Sequence, residues 1–287
     1  MRRYLSLVKF SHTIFALPFA LLGYFLAAHY LPEGFEWRTL GLVIGCMVFA
    51  RSAAMAFNRL LDRHIDRANP RTAGREVPAG LISARNAGLF VAVNSLLFVG
   101  CAYLINPLCF ALSPVALLII LGYSYTKRFT FLCHFVLGLG LALAPLGAWL
   151  AVGGRFDLLP LLYAGAVLFW VAGFDIIYAL QDEAFDRSQN LRSVPVWLGT
   201  RRALALSNVL HVLCAAFILA AAYQLAQLFP AAGWLHWTAA GLFIALLVYQ
   251  HRLVRPDDLS RVDLAFFTTN GVASLLFGGL VILDLYI

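Results

Sequence analysis

Two sets of three polar residues recur at intervals of four, each at the end of an apolar segment. They are Asn58, Asp62 and Asp66 in the first set, and Tyr178, Asp182 and Asp186 in the second, 120 positions later. On an α-helix a step of four residues advances about 400°, so each set lies along one face. We call them the first ladder and the second ladder.

Carboxylates in this arrangement suit a divalent metal that carries a polyphosphate. Acids alone would repel a diphosphate, whereas Mg²⁺ takes oxygen ligands from both groups. Asp near a helix C-terminus opposes the helix dipole, so a merely solvated helix end is a poor explanation of either ladder. The predicted metal ligands are Asn58, Asp62, Asp66, Asp182 and Asp186. The four acids among them are also predicted catalytic residues.

Basic residues near the ladders are candidate diphosphate ligands. Arg71 and Arg75 follow the first ladder closely, and a guanidinium matches phosphate oxygens bidentately. Lys127 would act as a point charge, and Lys9 is a further candidate near the start of the chain. Each of these residues, taken singly, is also explained by basic loops that face lipid head groups.

Arg51 lies within apolar sequence two helical turns before Asn58. A buried arginine needs an anionic partner, and no acid is near it in sequence. It could pair across the bundle with Asp175 or Asp284, or bind a small carboxylate or phenolate substrate. Asp175, in turn, could hold a water of the metal shell, accept a phenol proton, or pair with Arg51. Tyr178 is a candidate substrate ligand.

The composition identifies an integral membrane protein. Hydrophobic residues make up 62%, charged residues 12%, and the mean hydropathy is +0.84, whereas a soluble domain has about 25% charged residues. The net charge of +7 is therefore attributed to basic loops beside anionic lipid, and not to nucleic-acid binding. Because no polar linker interrupts residues 1–287, a single domain is expected.

Nine apolar segments are long enough to span a bilayer as helices. They are residues 10–31, 40–61, 86–105, 107–126, 132–152, 158–180, 203–225, 233–251 and 263–287. A nine-helix, all-α bundle around a central cavity is expected, with a tight turn at Asn106-Pro107. With the N-terminus in the cytoplasm, 18 of the 21 Lys and Arg residues fall on the cytoplasmic side. This orientation in the inner (cytoplasmic) membrane places both ladders on the cytoplasmic side.

The ladders also suggest an internal repeat. Each is followed by Asp-Arg and then by a basic loop with proline, at Arg75-Glu-Val-Pro78 and Arg192-Ser-Val-Pro195. A duplication would place the two ladders face to face across the cavity.

Three separated motifs in this order resemble the UbiA superfamily of intramembrane prenyltransferases. They are Asn58-x3-Asp62-x3-Asp66 with the following Asn-Pro-Arg-Thr-Ala-x-Arg, then Tyr123-Ser-Tyr-Thr-Lys127-Arg128, then Asp175-x2-Tyr178-Ala-x2-Asp182-x3-Asp186. The resemblance covers nearly the whole chain. It implies Mg²⁺-dependent transfer of a prenyl chain from a polyprenyl diphosphate to an aromatic acceptor.

The resemblance also implies residue roles. Metal and diphosphate binding fall on the two ladders, with Arg71, Arg75 and Lys127 as basic partners, and Arg51 takes the acceptor position. The chain looks closest to 4-hydroxybenzoate polyprenyltransferases of quinone biosynthesis. It departs from them in the first helix, where Val8 to Pro18 lack the Arg-x-Asp-Lys-Pro pattern. This variant resembles a branch linked to menaquinone made by the futalosine route, so a hydroxynaphthoate is the alternative acceptor.

Two other classes of protein use acids in membrane helices. A CDP-alcohol phosphotransferase would carry Asp-Gly-x2-Ala-Arg ahead of its aspartates, whereas residues 53–58 read Ala-Ala-Met-Ala-Phe-Asn. A transporter or channel predicts polar residues through the membrane on several helices, whereas the ladders cluster on one side. Both alternatives are therefore ranked below the prenyltransferase.

Overall fold

The structure is a computed structural model that describes residues 2–8 and 15–287, and the described residues form helices joined by turns. The helices are α1 (Arg2–Val8), α2 (Leu17–Tyr30), α3 (Trp37–Leu61), α4 (Arg63–Ala68), α5 (Ala84–Ile105), α6 (Pro107–Thr126), α7 (Cys133–Gly153), α8 (Leu158–Ala179), α9 (Glu183–Ser188), α10 (Val194–Leu198), α11 (Thr200–Leu228), α12 (Leu235–Leu253) and α13 (Asn270–Asp284). A 3-10 turn, Leu180–Asp182, joins α8 to α9, and a π-helical turn, Leu264–Thr269, leads into α13. The all-α prediction is confirmed.

The prediction of nine membrane spans is confirmed only in part. In the described part of the chain, seven helical segments are long and apolar enough to cross a membrane. They are α3, α5, α6, α7, α8 with its extension to Ser188, α11, and the π turn with α13. Helix α2 is apolar but has only 14 residues, and α12 has polar residues near both ends.

The turn predicted at Asn106-Pro107 is confirmed, and its sequence explains its geometry. Asn106 ends α5 and caps α6, since its Oδ1 accepts from the Cys109 N–H at 2.8 Å. Pro107 occupies the first helical position, where its missing N–H is not needed. The Asn106 Nδ2 donates to the Leu150 carbonyl at 2.8 Å and so ties this turn to α7.

Helix α8 lies at the centre of the bundle. Tyr163, Trp170 and Phe174 on α8 are almost fully buried, and Trp170 packs against Phe19 of α2 and Phe243 of α12. The second ladder follows directly from α8. This buried helix therefore fixes the position of the second ladder.

The two ladders lie in equivalent helical elements. Helix α4 follows the end of α3, and α9 follows α8 after the 3-10 turn. The bounds of α4 and α9 differ by 120 positions, the same offset as the ladders. This correspondence supports the suggested internal repeat.

Close packing of α7 on α8 leads to a test of stability. A Cβ on Gly138 would lie 2.5 Å from the Leu168 carbonyl oxygen, whereas a Cβ on Gly140 would meet nothing within 4 Å. We expect Gly138→Ala to destabilise the protein by about 1–3 kcal/mol through overpacking. Gly140→Ala is the control and should be neutral or stabilising, because alanine favours helix. Thermal unfolding in detergent compares the two, and a Gly138→Ala variant as stable as its control would contradict the packing.

Candidate active site

The first ladder lies where α3 ends and α4 begins. Asp62 is the residue between the two helices, yet its N–H donates to the Asn58 carbonyl at 2.9 Å. The Asp66 N–H likewise donates to the Asp62 carbonyl at 2.7 Å. The four-residue register is thus kept across the junction. The Asn58 Nδ2 donates to Asp62 Oδ2 at 3.2 Å, so these two members of the ladder contact each other directly.

Cations from two loops pair with the acids of the first ladder. Asp62 is 2% exposed, and its two oxygens bind Lys127 Nζ and Arg128 Nη2, each at 2.7 Å. Asp66 accepts from Arg75 Nη1 at 2.8 Å through Oδ1. The Asp66 Oδ2 is buried and has no hydrogen-bond partner among the described residues.

The second ladder runs from α8 through the 3-10 turn into α9. Arg71 binds both carboxylate oxygens of Asp182 and also donates from Nη1 to the Tyr178 hydroxyl at 2.8 Å. Burial alone would lower the pKa of Arg71, but the hydrogen bonds that it donates to Asp182 and Tyr178, together with the charge of Asp182, outweigh burial and raise the pKa above its usual value. Asp186 lies within electrostatic range of Lys127, Asp182 and Arg71.

The structure brings the two ladders together at one site. Arg71 belongs to the loop that follows the first ladder, and it binds Asp182 of the second. Asn69 of the same loop donates from Nδ2 to Asp182 Oδ1 at 3.2 Å. Lys127 pairs with Asp62 and is in electrostatic range of Asp186. The predicted basic partners Arg71, Arg75 and Lys127 therefore all contact acids of the ladders.

The donor set fits a hard divalent cation. Carboxylate and amide oxygens are the ligands that Mg²⁺ prefers. A buried carboxylate oxygen without a partner is costly unless something binds it, and Asp66 Oδ2 is such an atom. Across residues 2–8 and 15–287, however, no three His, Cys, Asp or Glu residues are grouped closely enough to hold a metal as they stand. The acids are held instead by the cations described above.

A cavity of about 350 Å³ lies between α3, α5, α6 and α7. Its walls are apolar apart from Arg51, Tyr123, Ser113 and two cysteines. Between Cys109 and Tyr123 the lining follows α6 for about 20 Å, at 1.5 Å per residue. Tyr123 is in electrostatic range of both Arg51 and Asp62, so this end of the cavity adjoins the first ladder.

Arg51 lines this cavity, and its Nε is buried without a hydrogen-bond partner among the described residues. The two pairings considered for it across the bundle are wrong. Asp175 accepts instead from His134 Nδ1 at 2.7 Å. Asp284 binds His236 and the N–H groups at the start of α12. Those acids already have partners on neighbouring helices, and Arg51 lies in the cavity wall with its Nε unpartnered among the described residues.

Asp175 lies on α8 one turn before Tyr178, and its side chain is 22% exposed. Its partner His134 also accepts, through Nε2, from the Val194 N–H at 3.3 Å. An accepting Nε2 fits the neutral imidazole with its proton on Nδ1. His134 thus fixes the orientation of the Asp175 carboxylate.

Three residues of this site were not singled out from the sequence. Arg128, Asn69 and Tyr123 contact or adjoin the ladders, although only their neighbours were chosen as ligands. All three lie inside the motifs quoted for the resemblance, and this position in the sequence was the signal that could have identified them as site residues. Lys9 lies outside the described residues.

Comparisons with known proteins identify the family of this chain. The UbiA prenyltransferase family model matches residues 16–272. A 4-hydroxybenzoate octaprenyltransferase from Aeromonas salmonicida (strain A449) is 32% identical over 257 residues, covering 90% of this chain and 86% of that protein. One from Nitrosomonas europaea is 31% identical over 270 residues, covering 93% and 88%.

Solved structures show the same architecture. A UbiA homologue from Aeropyrum pernix K1 superposes with a TM-score of 0.83 at 34% identity, covering 95% of this chain and 98% of that one. A UbiA homologue from Archaeoglobus fulgidus, bound to GPP and Mg²⁺, has a TM-score of 0.76 at 22% identity, covering 99% and 100%, and shows the fold. From its family match, its relatives and its fold, this chain belongs to the UbiA prenyltransferase family.

Proposed function

We propose that this enzyme transfers a polyprenyl group from a polyprenyl diphosphate to an aromatic acid in a Mg²⁺-dependent reaction of quinone biosynthesis. The observation that carries the proposal is the meeting of the two ladders, since Arg71 and Asn69 join the loop after the first ladder to Asp182 of the second. The relatives named 4-hydroxybenzoate octaprenyltransferase support an acceptor like 4-hydroxybenzoate. The bound GPP and Mg²⁺ of the Archaeoglobus homologue support the donor and the metal.

The ladders are the proposed metal ligands, through Asn58, Asp62, Asp66, Asp182 and Asp186. When bound, Mg²⁺ would neutralise the diphosphate and stabilise the charge that builds on the leaving group. The cations beside the acids supply the rest of the diphosphate site. Arg71, Arg75, Lys127 and Arg128 each already hold a carboxylate there, and guanidinium groups bind phosphate oxygens in the same way.

The apolar cavity is the proposed place for the prenyl chain. It begins beside Tyr123, near the first ladder, and continues along α6 through apolar residues. These walls exclude water from the allylic carbon as its bond to the diphosphate breaks.

Arg51 is the proposed ligand of the acceptor carboxylate. It lies seven residues before Asn58, about 10 Å along α3. Its guanidinium, whose Nε has no partner among the described residues, would bind an aromatic carboxylate and orient the ring toward the allylic carbon. The ring carbon ortho to the hydroxyl then attacks, and the proton that this carbon loses goes to a base. Asp175, oriented by His134, is the proposed base.

The orientation of the chain is proposed on the basis of its charges. Eighteen of the 21 basic residues fall on the side of the ladders, and basic residues concentrate in cytoplasmic loops. The site would then open to the cytoplasmic side of the inner membrane, where Mg²⁺ and activated precursors are found.

Product formation tests the function directly. Purified protein with Mg²⁺ and geranyl diphosphate is incubated with either 4-hydroxybenzoate or 1,4-dihydroxy-6-naphthoate, and the products are analysed by mass spectrometry. We expect prenylated 4-hydroxybenzoate, because the curated relatives carry that acceptor in their names. Prenylation of the naphthoate alone would move the enzyme to the other quinone pathway. Product from neither acceptor would contradict the proposed acceptor class.

The metal role is tested at the ladders. Asp62→Asn and Asp182→Asn keep the side-chain shape but remove a charged ligand, so kcat/KM should fall by about 100-fold or more. Asp257→Asn is the matched control, because Asp257 is exposed in the loop after α12. Full activity of either ladder variant at saturating Mg²⁺ would rule out the proposed metal role.

Arg51 is tested by separating its effects on the two substrates. Arg51→Gln should raise the KM for the aromatic acid about 30-fold or more, since losing one partner of a buried charge pair costs about 2–5 kcal/mol. Binding of geranyl diphosphate should change little. Arg155→Gln is the control, because Arg155 is exposed beside Asp157, away from the ladders. An unchanged KM for the acid would reject this assignment.

A further inference from the structure

The last membrane helix begins with a π-helical turn, Leu264–Thr269. A π turn breaks the regular pattern of backbone hydrogen bonds, and such turns are frequent at functional sites. Here two side-chain amides donate to carbonyls of the turn. The Gln250 Nε2 donates to the Ala265 carbonyl, and the Asn270 Nδ2 donates to the Phe266 carbonyl, both at 2.9 Å. Because Gln250 and Asn270 are 0% and 1% exposed, the turn is held from inside the protein.

The same amide ties the π turn to α8. The Trp170 Nε1 donates to Asn270 Oδ1 at 3.0 Å, and Trp170 is fully buried. Asn270 therefore uses both ends of its amide, one on the π turn and one on the helix that carries Tyr178. The π turn and the second ladder are thus held at a fixed distance from each other.

The π turn directs Phe266 onto Tyr178. The two rings stack with their centroids 4.1 Å apart and an angle of 27° between their planes. The Phe174 and Phe266 rings form a T-shaped pair with their centroids 5.2 Å apart. With Phe266 on its face, the Tyr178 ring has a defined orientation, and so has its hydroxyl.

The direction of that hydroxyl matters because Arg71 donates to it. The Arg71 Nη1 lies 2.8 Å from the Tyr178 oxygen, and its guanidinium carbon is 5.2 Å from the centre of the ring. Arg71 comes from a loop and is 32% exposed, so its long side chain has other conformations available. The contacts with Tyr178 and Asp182 select the one conformation that joins the ladders.

We propose that Phe266 is a positioning residue of the prenyl diphosphate site, acting through Tyr178 on Arg71. The inference rests on the proposed function, because Arg71 is there a diphosphate ligand. Phe266 need not touch substrate. It restricts Tyr178, which restricts Arg71, so that less conformational freedom is lost when the diphosphate binds.

The test measures binding and turnover in the full-length protein. Phe266→Leu should weaken binding of geranyl diphosphate with Mg²⁺ about threefold to tenfold, the size of the effect of one aromatic pair. Titration calorimetry gives the Kd without turnover. The KM for the diphosphate should rise by the same factor while kcat stays near its original value. Phe266→Tyr keeps the stacked ring and should restore normal binding.

A double variant separates positioning from general packing. Tyr178→Phe removes the hydroxyl that Arg71 donates to, so adding Phe266→Leu should weaken binding no further. Effects that simply add would overturn the proposal. Phe217→Leu is the control, because Phe217 packs on Phe169, whereas the described rings that contact Tyr178 are those of Phe266 and Phe267. Phe217→Leu should leave the Kd for geranyl diphosphate unchanged. The thermal unfolding of every variant is measured as well, and only variants that unfold at similar temperatures are compared.

The outcomes also distinguish this inference from the proposed function. If the original protein binds geranyl diphosphate and Phe266→Leu binds it equally tightly, only the positioning role falls. If the original protein does not bind geranyl diphosphate with Mg²⁺, the proposed function and this inference both fall.

Discussion

Asp62 and Asp66 are almost fully buried at the boundary of a membrane bundle, and a buried carboxylate is stable only when cations or hydrogen bonds surround it. Lys127 and Arg128 meet this demand at Asp62, and Arg75 meets it at Asp66. These cations come from different loops. The pairing of these cations with the buried acids therefore also determines where the loops that carry them lie.

The same requirement explains why the two halves of the chain meet at this point. Asp182 is bound by Arg71 and Asn69, which belong to the other half. The equivalent positions of α4 and α9 place the ladders opposite each other, and the loop after α4 then joins them. A site built in this way combines basic side chains with carboxylates, which is what binding of a metal and a diphosphate together requires.

Away from the ladders the bundle provides a different environment. The cavity between α3, α5, α6 and α7 is almost entirely apolar, and Arg51 is the charged residue in its wall. One end of the cavity adjoins the ladders through Tyr123. A polar site and an apolar cavity thus lie next to each other, and the proposed transfer of a group with a charged end and a hydrocarbon end needs both.

The sequence by itself determined the helical class, the ladders and their basic partners, because hydropathy and four-residue spacing are local properties that a bilayer enforces strongly. It also located the turn at Asn106-Pro107. Only the tertiary structure decided which cation binds which acid, that Asp175 pairs with His134 rather than with Arg51, and that Phe266 stacks on Tyr178. These contacts join residues up to about a hundred positions apart. Their partners are chosen by the packing of α7, α8 and the π turn, which no local pattern specifies.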